Sequence, residues 1–204
     1  MAGEIYIYFM RHGRSRADDE GVHEGRYDSP LTDVGRAQVK ARGEGWLAQG
    51  IRFDLIIAST LVRARESAEI IGGLLKAPVE ADDIWMEMDN RPLAGMPIEE
   101  AKARYPRPQF RGPYEPFHGV GESDWELHCR AVSAVEKLVR RGAGQYLVVS
   151  HGGMLNAVLR GIVGAQPPIN GHGIWFEFGD AGYAKCSYDP GGHYWVLREL
   201  CPGV

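Results

Sequence analysis

The sequence predicts an α/β protein built as a three-layer α/β/α sandwich around a mostly parallel central sheet. Three short apolar runs, at residues 4–10, 53–58 and 146–149, are rich in β-branched and aromatic residues, as buried strands are. Each run is followed along the chain by a predicted helix, and after residues 53–58 the apolar residues from Leu61 to Leu75 recur at steps of three and four, as on a helix face. Apolar strands that alternate with helices are typical of a parallel sheet covered on both faces.

Capping and turn signals separate the predicted elements. Thr32 has the position of a helix N-cap, and Ser123 followed by Glu126 forms a capping-box pattern. Gly-rich turns separate the last three strands, which we expect to add an antiparallel edge to the sheet. Beyond the three runs above, the pattern predicts strands near Val79 and at residues 174–178, 183–188 and 194–200, and helices at about 33–49, 61–75, 98–105, 124–141 and 154–163.

The chain is predicted to form a single domain over residues 1–204, because it shows no repeat, linker or break in composition. Within that domain, residues 89–121 hold half of the 12 prolines. We expect this segment to be mostly irregular. A long irregular segment in a compact domain usually serves binding, so residues 89–121 are predicted to form a cap or lid.

Composition excludes several function classes. Lys and Arg total 23 against 27 Asp and Glu, and this net charge of −4 argues against nucleic-acid coating or a polybasic membrane anchor. No run approaches the roughly 20 apolar residues that span a bilayer, and the N-terminal residues do not resemble a signal peptide. Three cysteines without CxxC spacing predict neither a disulfide framework nor a zinc site. We therefore expect a cytoplasmic protein that binds no nucleic acid, membrane or metal.

Polar clusters directly follow the three central strands. They are Arg11-His12-Gly13, residues 59–63 and residues 150–153. Because ligand sites in open α/β sheets form beyond the carboxyl ends of the strands, we expect these clusters to meet at one edge of the sheet.

The residue types in these clusters suit a phosphoryl group. Arg11 and Arg63 offer planar, permanently charged forks that match phosphate oxygens. His12 and His151 can serve as nucleophile, acid, base or hydrogen-bond donor near neutral pH. Close approach of the backbone to the ligand is expected at the glycines, which are Gly13, Gly152 and Gly153.

Taken in order, these blocks resemble the histidine phosphatase superfamily, the group related to cofactor-dependent phosphoglycerate mutase. The match covers most of the chain, and its signature is the Arg-His-Gly motif at residues 11–13. The other blocks that resemble the family are Gly25 with Asp28-Ser29-Pro30-Leu31-Thr32, Gly35 and Gln38; residues 59–64; Glu87 with Gly95; Gly121-Glu122-Ser123; and Ser150-His151-Gly152-Gly153. The resemblance implies a phosphoglycerate mutase-like fold and a reaction that needs no metal or other cofactor.

The resemblance also implies a role for each site residue. His12 would be the nucleophile that becomes phosphorylated. Glu87 would protonate the leaving oxygen and later deprotonate the attacking water. The residues implied to hold the phosphoryl group or lie beside it are Arg11, Ser15, Arg63, His151 and Gly152.

Two residues depart from the family pattern. Asp18 stands where many members have asparagine near the phosphate, and its carboxylate would repel phosphate unless it turns away or pairs with a base such as Arg14 or Arg16. Arg91 stands where relatives usually have glycine, four residues after the acid. It would either reshape the substrate side of the site or point to solvent.

The favoured hypothesis is a metal-independent phosphatase that acts on a small phosphomonoester through a phosphohistidine. One alternative is a cofactor-dependent phosphoglycerate mutase, although the short chain and Gly153, where mutases usually carry asparagine, favour hydrolysis. Another is a phospho-ligand-binding protein with weak catalysis, which only Asp18 and Arg91 support. The expected partner is a small phosphorylated substrate, and the apolar C-terminal strands could supply the surface of a homodimer.

Overall fold

The computed structural model describes residues 3–116 and 119–203. Its strands are β1 (Ile5–Arg11), β2 (Leu55–Ala58), β3 (Val79–Ala81), β4 (Gly144–Ser150), β5 (Tyr183–Asp189) and β6 (Tyr194–Cys201). They form one sheet in the order β3-β2-β4-β1-β5-β6. The first four strands of that order are parallel, whereas β5 runs antiparallel to both β1 and β6, so the expected antiparallel edge is confirmed.

Six α-helices surround the sheet in the described ranges. They are α1 (Arg16–Glu20), α2 (Asp33–Ala48), α3 (Val62–Leu75), α4 (Ile98–Arg104), α5 (Asp124–Val139) and α6 (Gly152–Val163), with a 3-10 turn at Asp83–Trp85. Within the same ranges, no helix has the length and apolar character that a membrane crossing requires.

The helices cover both faces of the sheet, and the predicted three-layer sandwich is confirmed. Alternate side chains of β1 enter separate cores, as the two-residue period of a strand requires. Ile7 and Phe9 pack in one core with residues of α5 and α6, and Tyr8 and Met10 pack in the other with residues of α2 and α3.

The predicted helix starts are confirmed at two places. The Thr32 hydroxyl accepts a hydrogen bond from the Gly35 amide at 3.0 Å, which caps α2. At α5, the Ser123 hydroxyl accepts from the Glu126 amide while the Glu126 carboxylate accepts from the Ser123 amide. These reciprocal bonds satisfy amides that the first turn of a helix leaves free.

Two features of the chain differ from the sequence prediction. The polar stretch after β1, for which no helix was predicted, contains the short helix α1. The predicted strand at residues 174–178 is wrong, since this segment has no regular secondary structure and pairs with no strand of the sheet in the described residues.

Side chains of α6 form the backbone hydrogen bonds of residues 174–178 that a neighbouring strand would otherwise form. The Asn156 amide donates to the carbonyl of Phe176 at 3.0 Å, and its oxygen accepts from the Phe176 amide at 2.8 Å. Arg160 donates to the carbonyl of Ile174 at 3.0 Å. Phe176 and Phe178 are buried whereas Ile174 and Trp175 are exposed, so the apolar pattern that predicted a strand reflects one buried edge.

The Pro-rich segment 89–121 contains α4, close to its predicted position at 98–105, with irregular structure on both sides. Phe117 and His118, in the predicted lid, lie outside the described residues.

Candidate functional site

The register of the sheet brings the three polar clusters together. Arg11, the last residue of β1, pairs with Ser150 at the end of β4, and Ala58 at the end of β2 pairs with Val149. The next residue after each strand therefore emerges at one edge of the sheet. Those three residues are His12, Ser59 and His151, and all three are buried.

His12 is held as a neutral imidazole with a defined tautomer. Its Nδ1 lies 2.7 Å from the carbonyl oxygen of Gly13, which can only accept, so Nδ1 carries the hydrogen. Burial, followed by the charges of Arg63 and Arg11, holds the pKa of His12 well below its usual value. Nε2 therefore keeps its lone pair at neutral pH, with the Nε of Arg63 at 3.1 Å. A lone pair on a neutral ring nitrogen is what a nucleophile needs.

His151 presents an unsatisfied polar atom beside His12. The two ring centroids are 5.1 Å apart. His151 Nε2 lies 2.8 Å from the Ser59 hydroxyl, whereas its buried Nδ1 has no hydrogen-bond partner among the described residues. Burial and the charge of Arg63 hold the pKa of His151 well below its usual value. A buried polar atom left unpaired costs about 1–3 kcal/mol, which a bound ligand would recover.

Arg63, in the first turn of α3, is locked in place by backbone carbonyls. Its side chain is fully buried, and its terminal nitrogens donate to the carbonyls of Tyr27 and Gly25, each at 2.8 Å. These bonds aim Nε at His12. The segment around Gly25, one of those that resemble the family, thus orients the Arg63 guanidinium.

Arg11 is oriented by the C-terminal half of the chain. One terminal nitrogen donates to the carbonyl of Phe178 at 3.1 Å and lies 3.6 Å from the Asp180 carboxylate. The other lies 3.7 Å from Asp18. The irregular segment that was wrongly predicted as a strand therefore helps to position a site arginine.

Asp18 pairs with a base, as one of the two ways to avoid repelling phosphate, and that base is Arg11. The Asp18 carboxylate accepts from the Ser15 amide at 2.8 Å, lies 3.1 Å from the Ser15 hydroxyl and faces Arg11. Arg14 and Arg16 pair instead with neighbours on α1, which are Asp19 and Glu20. The carboxylate of Asp18 is thus occupied by the N-terminus of α1.

Glu87 docks on the N-terminus of α6. One carboxylate oxygen accepts from the amides of Met88 and Met154, at 2.8 and 3.0 Å, and the other accepts from the Gly153 amide at 2.9 Å. Helix N-termini stabilise negative charge through such amides.

Neighbouring protein atoms account for glycine at two of the three predicted glycine positions. A Cβ at position 153 would lie 2.5 Å from a Glu87 carboxylate oxygen. At position 13, a Cβ would lie 2.4 Å from the carbonyl oxygen of Gly35. Close approach of a ligand to the backbone at Gly13 and Gly153 stays a prediction. Only Gly152 has open space, with Arg11 at 4.0 Å.

Arg91 and Ser15 are the two remaining residues that the sequence singled out near the site. Arg91 is 76% exposed and pairs with Asp89 at 2.7 Å, so it points to solvent. Ser15 is buried, and its hydroxyl, which has a single hydrogen to donate, lies within hydrogen-bonding distance of the carboxylates of Asp18 and Glu24.

Glu24 is the site residue that sequence reasoning missed. Its carboxylate lies 3.1 Å from the Nε of Arg63 and 3.6 Å from Nε2 of His12. Burial raises the pKa of Glu24, and the charge of Arg63 opposes that shift. The available signal was its place immediately before Gly25 in a matched block, but a lone acid in a polar loop has no periodicity to single it out.

Comparison with known proteins agrees with this geometry. Residues 7–200 match the family model of the histidine phosphatase superfamily (branch 1). The uncharacterized phosphatase PhoE of Bacillus subtilis is 29% identical over 164 residues, which cover 80% of this chain and 80% of that protein. A 2,3-bisphosphoglycerate-dependent phosphoglycerate mutase of Methylobacterium sp. (strain 4-46) is 33% identical over 165 residues, covering 76% and 79%.

The fold has a solved counterpart in Bacillus stearothermophilus YhfR. The TM-score is 0.83 at 24% identity, with 98% of each chain covered. That likeness bears on the fold alone, whereas the family match spans nearly the whole chain. On these grounds the protein is a member of the histidine phosphatase superfamily.

Proposed function

We propose that this chain is a phosphatase that hydrolyses a small phosphomonoester through a phosphohistidine on His12, with no metal. The observation that carries the proposal is a neutral His12, whose Nε2 keeps its lone pair, beside a buried Arg63 and His151, whose Nδ1 has no hydrogen-bond partner in the part of the chain that the structure describes. A nucleophile, a fixed positive charge and a vacant hydrogen-bonding atom at one sheet edge suit phosphoryl transfer.

In the first step, His12 Nε2 attacks phosphorus and the bond from phosphorus to the leaving oxygen breaks. Arg11, Arg63 and His151 hold the equatorial oxygens as charge develops on them. Glu87 gives its proton to the leaving oxygen. The amides of Gly153 and Met154 then stabilise the carboxylate that remains.

In the second step, water attacks the phosphohistidine opposite the ring nitrogen. Glu87 takes a proton from that water, the P–N bond breaks, and the electron pair returns to Nε2. The hydrogen stays on Nδ1, hydrogen-bonded to the Gly13 carbonyl, throughout, so His12 is ready for another cycle as a neutral ring.

A phosphoglycerate mutase is the second candidate, because the relative at 33% identity carries that name. A mutase must shield its phosphohistidine from water until a second hydroxyl attacks. Phosphate release and phosphoglycerate interconversion, measured on one preparation, separate the two. We expect phosphate release to dominate, and interconversion that outpaces release would favour the mutase.

The first test is hydrolysis of p-nitrophenyl phosphate without added metal. We expect turnover in the wild type, and loss of at least about 10³-fold in kcat for His12→Ala, as for removal of other nucleophiles. The matched control is His193→Asn, which changes an exposed histidine at a positive φ that asparagine tolerates. Full hydrolysis by His12→Ala would refute the mechanism. Turnover absent from the wild type would instead favour a phospho-ligand-binding protein.

We further propose that residues 89–121 select the substrate. This segment begins two residues after Glu87, and Arg26 connects the two by donating to the Glu87 carbonyl and facing Asp89 at 3.6 Å. A screen of sugar phosphates, phosphoglycerates, nucleotides and phosphopeptides would identify the preferred class. Changes at Arg26 should shift that preference more than the rate with p-nitrophenyl phosphate.

A further inference from the structure

The carboxylate of Glu24 lies among the groups that the proposed phosphoryl ligand would contact. One of its oxygens is 3.1 Å from the Nε of Arg63 and accepts from the Ser15 hydroxyl. The other is 3.6 Å from Nε2 of His12. A carboxylate in this position makes the contacts that an anionic ligand would make.

The charges around Glu24 come from three elements. Arg11 at the end of β1 and Arg63 in α3 are positive, whereas Asp18 in α1 is negative. His12 is neutral, and Glu87, the acid of the proposed reaction, lies within electrostatic range of Arg63. Two arginines therefore already face the carboxylates of Asp18 and Glu24 before any ligand arrives.

A phosphoryl dianion entering this pocket would meet a carboxylate already paired with Arg63. Like charges a few ångströms apart in a partly desolvated site cannot both stay ionised at low cost. Either the carboxylate moves away or one of the two groups takes up a proton. The Glu24 side chain is only 20% exposed and is tied to Ser15 and Arg63, which favours protonation in place.

We propose that Glu24 takes up one proton from solvent when a phosphoryl or similar tetrahedral anion binds, and that its carboxyl O–H then donates a hydrogen bond to an anion oxygen. The inference rests on the proposed function only in that this pocket receives the phosphoryl group. Glu24 thereby becomes a ligand-binding residue whose protonation is coupled to binding.

The surroundings of Glu24 already move it toward the protonated form. Burial raises the pKa of Glu24, and Arg63 is the main group that opposes this shift. A bound anion that neutralises Arg63 removes the charge that lowers the pKa of Glu24. The anion also repels the ionised Glu24 carboxylate, which raises that pKa further. The bound state should therefore hold the proton at a pH where the free protein does not.

The test is calorimetric titration of the full chain with inorganic sulfate, in buffers of different ionisation enthalpy, at pH 5.5 and 7.5. Sulfate stays doubly charged in this range, so any proton taken up belongs to the protein. We compare the wild type with Glu24→Gln, which presents a permanent N–H donor of the same shape. The control is Asp180→Asn, which removes a carboxylate that faces Arg11 instead.

At pH 7.5 we expect the wild type and Asp180→Asn to take up about one proton more per sulfate than Glu24→Gln. Glu24→Gln should bind sulfate at least about tenfold more tightly than the wild type at pH 7.5, since one unit of pKa corresponds to a factor of ten. The two affinities should converge at pH 5.5.

Equal proton uptake by the wild type and Glu24→Gln would overturn the proposal, because it would place the proton elsewhere, as on His12. Weaker sulfate binding by Glu24→Gln at both pH values would also overturn it, as would failure of every variant to bind sulfate. Sulfate undergoes no hydrolysis, so this result is independent of turnover. Proton uptake at Glu24 in a protein with no phosphatase activity would refute the proposed function and leave this inference intact.

Discussion

At the scale of single residues, the pocket is defined by which atoms carry protons. The Gly13 carbonyl places the hydrogen of His12 on Nδ1, and burial keeps the ring neutral. The amides at the start of α6 hold the Glu87 carboxylate, and in the proposed reaction they would stabilise the charge it acquires on giving up its proton. Each contact is local, yet each determines a step of the proposed reaction.

Replacing Glu87 by glutamine should slow hydrolysis according to the leaving group. Loss of a general acid costs about 10²- to 10⁴-fold when the leaving oxygen needs a proton. We expect the large loss with an alkyl phosphate and a much smaller one with p-nitrophenyl phosphate, whose leaving group departs as an anion. Equal losses with both substrates would show that Glu87 is not the acid.

Replacing Gly153 by alanine should separate activity from stability. The new Cβ would lie 2.5 Å from a Glu87 oxygen and displace that carboxylate, so kcat should fall about 10- to 100-fold. Alanine is the better helix former, by up to about 1 kcal/mol. Gly73→Ala in α3, where a Cβ meets nothing within 4 Å, is the control and should keep full activity. If Gly153→Ala kept the wild-type kcat, the reaction would not depend on the exact position of the Glu87 carboxylate.

At the scale of elements, the ends of β1, β2 and β4 place His12, Ser59 and His151 in the site. Helix α3 contributes Arg63, and the N-terminus of α6 binds Glu87. The polar clusters could be located from sequence because each follows a short apolar run, and parallel strands end at one edge. Glu24 could not be located, because its role depends on how the loop after β1 folds back onto α3. The prediction of a strand at residues 174–178 failed for a related reason. Alternation of buried and exposed apolar residues does not show whether the backbone forms its hydrogen bonds with another strand or with a side chain such as the Asn156 amide.

Asn156 tests that last point. Its side chain bonds both the amide and the carbonyl of Phe176, so Asn156→Ala leaves two buried backbone groups unpaired. We expect the free energy of unfolding in urea to fall by about 1–3 kcal/mol. Ser133→Ala, which removes an exposed helix hydroxyl of α5, should change it by less than about 0.5 kcal/mol. Equal effects of the two substitutions would contradict this description of the segment.

At the scale of the whole molecule, the three-layer sandwich buries two histidines at the edge of the sheet where the strands end. Their pKa values are held well below the usual value of about 6.5, so the folded protein resists protonation that the unfolded chain accepts. Stability is therefore complete above pH 6.5 and is lost as the pH falls toward the native pKa values. The raised pKa of Glu24 acts in the opposite direction, because its native form binds a proton more readily than the unfolded chain.

The pH dependence of unfolding should show this cost. Each buried histidine removes about 1.4 kcal/mol of stability per pH unit below about 6.5. Urea unfolding at pH 7.5, 6.5 and 5.5 should show a steeper loss for the wild type than for a variant with both His12→Gln and His151→Gln. Parallel curves would show that these two histidines do not control acid stability.

The proposed reaction requires His12 to carry the phosphoryl group between its two steps. Labelling tests this directly: the protein is exposed briefly to a ³²P-labelled aryl phosphate, the reaction is stopped with alkali and the labelled peptide is mapped. We predict an acid-labile, alkali-stable label on the peptide that contains His12, and none in His12→Ala. A protein that hydrolyses the substrate yet carries no such label, or carries it on another residue, would refute a phosphohistidine on His12.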